Sequence, residues 1–287
     1  MREILVLRSG PLTTIQDLGR SGLAHLGVPP SGALDRPALL LGNRLVGNPN
    51  DAAVLEVTFS SFSFRALTDC VVAVTGARVQ LSLDERQEAW AMPIVMRREQ
   101  VLEFSPPTAG VRTYVAFNGG IEMSSDLGSR STDLLSSLGP EPVRDGQVLA
   151  LGESFGVAPL VDFAPYPEPT DQIRLNLRLG PRENYFTESA LVDLATKSWQ
   201  VSSMSNRIAL RLEGPHLTRR DQRELKSEGI VTGSVQVPHD GLPLIFLADH
   251  PTTAGYPVIG VVGPDDVAAC AQAAPGTRVS FQVIPER

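Results

Sequence analysis

AVLEVTFSSFSFRALTDCVVAVTGARVQLSL, residues 53–83, decides the fold class. Four short runs within it, 53–58, 62–66, 70–75 and 79–83, are rich in β-branched or aromatic residues and bounded by turn formers, as barrel or sandwich strands are. The same punctuation continues through 94–96, 101–104 and 112–117. Upstream, 3–8 reads as a first strand stopped by Gly10-Pro11, while 12–35 carries a turn residue every few positions and reads as a long structured loop. Asp35 is an N-cap signal, with Pro37 in the first turn, for a helix over 38–46 closed by Gly47-Asn48. Downstream, 173–179 is a strand ending in Gly180-Pro181. Its Leu-Arg-Leu-Gly-Pro echoes Leu-Arg-Ser-Gly-Pro at 7–11, as if each opened one of two related β lobes. Helices are expected over 187–196, with Thr187 near the N-cap, and 265–274, and the last strand over 277–284. Prolines crowd the stretch 155–170, so the expected division is an N-terminal β lobe over 1–160, a linker over 161–171 and a C-terminal β lobe over 172–287.

Composition narrows the function classes. With 287 residues, 42% hydrophobic and 20% charged, the chain can bury a core without staples, and a net charge of −7 argues against nucleic-acid partners. The N-terminus alternates polar and apolar residues and no apolar run approaches membrane-spanning length, so the expectation is a cytoplasmic protein with no membrane partner. Twenty-five glycines and 23 prolines mean many short elements and frequent turns. Cys70 and Cys270 have neither CxxC spacing nor a nearby His, which predicts buried free thiols and no metal site.

No phosphate loop, GxGxxG, HExxH or GxSxG motif is present, and no lysine lies in a Met-Lys-Met biotin context. Four polar clusters remain. In the first, residues 13–20 with Ser31 and Asp35, Asp17 and its neighbours form either a salt-bridged loop or a ligand site. Asn118-Gly119-Gly120 is either a plain turn or a backbone anion cradle. In 128–133, Arg130 beside Ser131 and Thr132 either belongs to a helix cap or grips a carboxylate or phosphate with two prongs. The fourth spans 227–257: a strand around Gln236, a turn at Asp240-Gly241, a returning strand over 244–248, then a loop carrying Asp249, His250, Thr252, Thr253 and Tyr256. Asp249 and His250 suggest an acid–base pair, but neighbours on a strand point to opposite faces, which argues against a hydrolase triad.

Seven motifs stand in one order: GPLTTIQDLGR at 10–20, GVPPSGALD at 27–35, NRLVGN at 43–48, FNGGI at 117–121, LGSRST at 127–132, SEGIVTGSVQVPHDG at 227–241 and TTAGYPVIG at 252–260. Together they resemble the biotin-dependent carboxyltransferase family, also called the KipA or allophanate hydrolase subunit 2 family, whose bacterial members include the C-type subunit of ATP-dependent 5-oxoprolinase. The resemblance implies a mainly β chain of two cyclophilin-like β-barrel lobes with a few short helices. It also implies a smaller KipI-type partner subunit of related fold and a third, LamB/YcsF-type subunit. The implied reaction opens 5-oxo-L-proline to L-glutamate with ATP as co-substrate. Two alternatives go with the family: a KipA-type regulator that binds a kinase inhibitor, and a carboxyltransferase subunit acting on urea or another amide, with biotin on a separate chain.

Lactam and urea are both resonance-stabilised amides, so either reaction needs a polarised carbonyl oxygen and a home for developing negative charge. On the resemblance, Gly119, Gly120 and Arg130 would hold that charge and Gln236 and Asp240 would orient the amide edge. Tyr256, Thr252 and Thr253 would supply donors, and Asn118, Ser131, Thr132, Asp17 and Ser31 would contribute to substrate binding. The family often reads QTTGGYPKIG where this chain has Pro251, Ala254 and Val258 in place of Gln, Gly and Lys. If that cation takes part in carboxyl or phosphoryl transfer, either another basic residue substitutes for it or this chain is less active in that chemistry.

Overall fold

A computed structural model describes residues 1–155, 166–221, 223 and 225–285. It divides into two units, the first made of Met1–Arg20, Ser31–Asp133 and Ser137–Pro169 and the second of Ser21–Pro30, Leu134–Ser136 and Thr170–Arg287. Of the linker expected at 161–171, residues 161–165 lie outside the described residues. Tyr166 belongs to the first unit, where its hydroxyl donates to the Asp35 carboxylate and its ring meets Trp90 edge-on at 5.8 Å.

The first unit contains β1 (Arg2–Arg8), β2 (Thr13–Gln16), α1 (Arg36–Leu45), β3 (Val54–Thr58), β4 (Phe62–Ala66), β5 (Cys70–Arg78) and β6 (Leu81–Leu83). It continues with β7 (Arg86–Glu88), β8 (Pro93–Met96), β9 (Val101–Phe104), β10 (Ala109–Phe117) and β11 (Val148–Leu151). They form a six-stranded sheet, β11-β1-β4-β9-β6-β7, and a five-stranded sheet, β2-β3-β10-β5-β8. One core takes residues from both: Ile4, Val6, Phe62 and Phe64 from the first, Leu55, Val57, Val72, Val74, Val115 and Phe117 from the second. The intervening residues of the five-stranded sheet, Val54, Ala73, Tyr114 and Ala116, point the other way and receive Ala38, Leu39 and Leu45 of α1. Burial on both faces is why β3, β5 and β10 read as near-continuous apolar runs.

Helix α1 forms where the cap predicts it: the Asp35 carboxylate accepts from Ala38 N at 3.0 Å. It lies close to the sheet because position 42 is glycine, where a Cβ would come within 3.2 Å of both the Ala116 methyl and Thr75 Oγ1. Thr75 Oγ1 in turn donates to Ala38 O at 2.8 Å. One sequence expectation is corrected: 13–16 is a strand, with Thr13 opposite Val57 and Gln16 opposite Val54. The β-branched Thr13-Thr14-Ile15 run is the local signal, and the glycines and prolines that follow obscured it. The segment 128–133 caps no helix.

The second unit contains β12 (Gln172–Leu179), α2 (Glu188–Thr196), β13 (Ser198–Val201), β14 (Ala209–Glu213), β15 (Glu228–Gly229) and β16 (Ser234–Gln236). Then come β17 (Leu244–Phe246), β18 (Thr253–Ala254), β19 (Val258–Val262), α3 (Pro264–Ala271) and β20 (Arg278–Val283). Seven strands close a barrel in the order β12-β19-β16-β17-β14-β13-β20, sealed by parallel pairing of β12 with β20. Alternate residues turn inward, Leu175 and Leu177 from β12, Trp199 and Val201 from β13, Val279 and Phe281 from β20. Trp199 and Phe281 meet edge-on at 5.6 Å, and the indole N–H donates to Pro215 O at 2.9 Å. The chain is therefore mainly β, with a closed barrel in the second unit and two sheets around one core in the first. Helix α3 stops at Ala271, short of the expected 274.

Asp249, one of the residues that first suggests chemistry, is an internal strut. Its carboxylate takes a two-pronged bond from Arg207, Nε to Oδ2 at 2.9 Å and Nη2 to Oδ1 at 2.8 Å, with both side chains at most 1% exposed. Cys70 and Cys270 are buried free thiols, and burial pushes the Cys70 thiol up to about 11.

Two substitutions test this architecture. Gly42→Leu forces a side chain into the contact of α1 with β5 and β10 and is expected to cost about 1–3 kcal/mol, read as a lower melting midpoint. Arg207→Ala leaves the Asp249 carboxylate buried without its guanidinium, with Leu134 N still donating to Oδ2 at 3.2 Å, so chemical denaturation should show a loss of about 3 kcal/mol; a loss below about 1 kcal/mol would contradict the strut.

Candidate functional site

In the first unit, the polar residues singled out in the sequence converge on one carboxylate. Asp17 Oδ1 accepts from Ser129 Oγ and Ser131 Oγ, each at 2.6 Å, and from Gly19 N at 2.8 Å. Its Oδ2 accepts from Arg130 N at 2.6 Å. Burial pushes the Asp17 carboxyl up, but these donors together outweigh it and hold it below the usual aspartate value, so it is ionised at neutral pH. Ser131 Oγ also accepts from Asp17 N at 3.1 Å, and Thr132 O accepts from Gln16 Nε2 at 2.9 Å and Ser31 Oγ at 3.0 Å. Asp17, Ser31, Ser131 and Thr132 are thus brought together, but mainly to hold one another.

Arg20 locks the same segment, donating from Nη2 to Ser131 O at 2.5 Å and from Nε to Asp126 O at 3.1 Å. Two buried atoms are left over, Arg20 Nη1 and Gln16 Oε1, a donor and an acceptor without a partner among the described residues. Arg130 differs from its neighbours. Its Nε donates to Met123 O at 3.1 Å, the side chain is half-buried, and neither terminal amino group is bonded to a described residue. A guanidinium anchored at its root with its fork open is suited to a carboxylate or phosphate.

The Asn118-Gly119-Gly120 stretch is a turn whose donors are used internally. Gly119 N donates to Asn48 Oδ1 and Gly120 N to Phe117 O, each at 2.8 Å, and Asn118 Nδ2 donates to Val46 O at 2.6 Å. At Gly119, with φ of 98°, an added Cβ would lie 2.3 Å from Gly152 O, so glycine is there for backbone packing. The reading of these two N–H groups as an anion cradle is corrected accordingly: both are already paired.

In the second unit, the β16–β17 hairpin and the loop 251–257 are stitched together. Gln236 Nε2 donates to Tyr256 O at 2.7 Å, Val237 N donates to Pro257 O at 3.1 Å, and β15 pairs with β18 across Gly229 and Thr253. Gln236 is buried, and its amide N–H₂ spends a donor on the loop's backbone. Tyr256 is 41% exposed, with its ring 5.2 Å from that of His239 at 86°. Thr253 is exposed and Thr252 half-exposed. Asp240 is exposed at the hairpin turn, where its carboxylate accepts from Leu242 N at 3.0 Å and its carbonyl from His216 Nδ1 at 2.5 Å. It borders a surface cleft of about 180 Å³ shared with Ser202, Met204 and Arg211.

Sequence reasoning missed His239, which lies inside the 227–241 motif, and Arg219, whose Nη1 sits 3.2 Å from His239 Nδ1. An exposed histidine carries no periodic signal, and its partner is 20 residues away. Val258, at the family's lysine position, is 6% exposed and packs with Ala209, Ile230, Leu244 and Phe246. Among the described residues no group of three His, Cys, Asp or Glu side chains could hold a metal ion, and no helix is long and apolar enough to cross a membrane.

A family model described as the carboxyltransferase domain, subdomain A and B, matches residues 26–283. The C-type subunit of 5-oxoprolinase from Escherichia coli K12 is 35% identical over 282 residues, covering 96% of this chain and 89% of that protein. Its namesake from Haemophilus influenzae is 32% identical over 292 residues, covering 99% and 91%. The crystal structure of the K. lactis urea amidolyase superposes with a TM-score of 0.91 at 28% identity, over 99% of this chain but 19% of that one. Another solved structure, 34% identical with a TM-score of 0.90, is matched over 56% of its length. With a family model spanning most of the sequence and two relatives above 30% identity along nearly their whole length, the chain belongs to the carboxyltransferase-domain family, subdomains A and B.

Proposed function

We propose that this chain is the C-type subunit of an ATP-dependent 5-oxoprolinase, acting with a smaller partner subunit to activate the lactam of 5-oxo-L-proline for opening to L-glutamate. The observation that carries the reading is the near full-length match to two proteins that bear the name of that 5-oxoprolinase component. A subunit name implies companions. The smaller KipI-type chain and the third, LamB/YcsF-type chain are the proposed ones, with ring opening completed by the third and the assembly placed in the cytoplasm.

Opening an amide needs charge stabilisation at its oxygen and precise placement of the carbonyl. In the first unit the open fork of Arg130 is the group suited to an anion, whether substrate carboxylate or transferring phosphoryl, and the Asp17 knot holds its backbone in place. In the second unit Tyr256, Thr252 and Thr253 present hydroxyls from a loop that Gln236 secures. Gln236 is assigned here to positioning that loop and Asp240 to shaping the turn beside it.

A second reading has its own support in the likeness to urea amidolyase: a carboxyltransferase subunit acting on urea or another amide. Biotin would then be held by a separate chain and would supply the carboxyl group, while this chain would bind and orient the amide.

The discriminating assay incubates the co-purified subunits and the third protein with 5-oxoproline. Glutamate should appear only with ATP, and none from a preparation whose partner is demonstrably bound would overturn the first reading. In the same assay Arg130→Ala should lower turnover by about 10-fold or more with an unchanged melting midpoint, and full activity would remove its role.

A further inference from the structure

The four histidines of the chain differ in what faces their Nδ1. His25, His216 and His250 each place Nδ1 against a backbone carbonyl, of Gly22 at 3.1 Å, Asp240 at 2.5 Å and Pro251 at 2.7 Å. A carbonyl only accepts, so these three rings carry a proton on Nδ1. His239 is the exception. Its Nδ1 meets Arg219 Nη1 at 3.2 Å, and a guanidinium only donates, so this Nδ1 must be the acceptor and the ring proton must sit on Nε2.

Arg219 is well placed to enforce this. It is 7% exposed, its backbone is held by a bridge to Phe186, and its Nη2 donates to Arg223 O at 3.2 Å. The guanidinium is thus fixed before it reaches the histidine. On the other side, the His239 ring packs edge-on against Tyr256, whose backbone is tied to Gln236. His239 itself is exposed, at the junction of the hairpin and the loop that carries the surface hydroxyls.

We propose that Arg219 fixes His239 as the neutral Nε2–H tautomer, making it a pre-set hydrogen-bond donor beside Tyr256 for a carbonyl or carboxylate oxygen of the substrate. The identity of that substrate as 5-oxoproline rests on the function proposed above; the tautomer does not. Arg219 is a positioning residue in this scheme and His239 the group that touches substrate. A neutral N–H donor stabilises charge developing on a carbonyl oxygen without bringing a mobile proton to the ground-state complex.

The test has two independent parts. Long-range proton–nitrogen correlation on the full chain labelled with ¹⁵N-histidine, at a pH of about 8.5, should show three Nδ1–H rings and one Nε2–H ring. The odd signal should vanish in His239→Phe and become a tautomer mixture in Arg219→Met. An Nδ1–H signal for His239 in the unaltered chain overturns the proposal outright, whether or not Arg219→Met folds. In the assembled enzyme, His239→Phe should raise KM for 5-oxoproline by about 10-fold, more than it lowers kcat, and His239→Gln, which keeps an N–H donor, should recover part of the loss. An unchanged KM in His239→Phe overturns the donor role. An unaltered complex that makes no glutamate overturns the function proposed above and the substrate clause with it, leaving the tautomer result to judge the Arg219–His239 pair alone.

Discussion

A buried carboxylate has to find donors, and Asp17 finds four of them, two hydroxyls and the backbone of Arg130 on a segment more than a hundred residues away, plus Gly19 beside it. That requirement fixes the segment 129–132 alongside β2, and much of the first unit's polar architecture depends on it. Thr132 can then receive Gln16 and Ser31, and Ser131 O can receive Arg20. Arg130 is held by its backbone and by its Nε, so the direction of its guanidinium is decided before any ligand arrives. A buried charge satisfied by several short bonds is a better anchor than an exposed ion pair, because losing one donor leaves the rest of the desolvation cost uncompensated.

The same logic explains why the sequence motifs travel together. NRLVGN and FNGGI touch through Asn48 and Asn118, which bond to Phe117 O and Val46 O. The motifs around Asp17 and Arg130 touch through the knot, and those around Gln236 and Tyr256 through the Gln236 amide. In each case a polar side chain from one motif satisfies the backbone of another. Residues that look like a binding site when read along the chain are in good part the hydrogen bonds that hold loops in shape, and the groups left over, Arg130, Tyr256, the threonines and His239, are fewer.

How much was legible follows from the range of each interaction. The helices over 36–45 and 188–196 were readable because caps are local: Asp35 and Thr187 each bond three residues ahead. The strands of the five-stranded sheet were readable as apolar runs, although their two-sided burial hid which face meets α1. Strand β2 was missed because its pairing to β3 is distant and the glycines after it suggested a loop. The donors of Gly119 and Gly120 could not be seen to be spent, since Asn48 lies some seventy residues upstream. Arg207 on Asp249 and Arg219 on His239 are likewise long-range pairs, one converting a supposed catalytic acid into a strut and the other giving an unremarkable histidine a defined tautomer.

Val258 shows how a departure from the family pattern can be absorbed. A lysine there would begin its side chain among Ala209, Ile230, Leu244 and Phe246, an environment that favours valine unless the amine can reach water or a partner. Arg182 is held nearby, its backbone N donating to Val258 O at 3.0 Å, but its guanidinium forks onto Glu228. Arg219 is engaged with His239. These two cations beside the hairpin and loop are therefore committed to protein partners, and the polar groups the loop offers are neutral donors. On the function proposed above, groups of this kind would polarise an amide oxygen by hydrogen bonding rather than by direct charge, which would suit a neutral lactam or urea carbonyl.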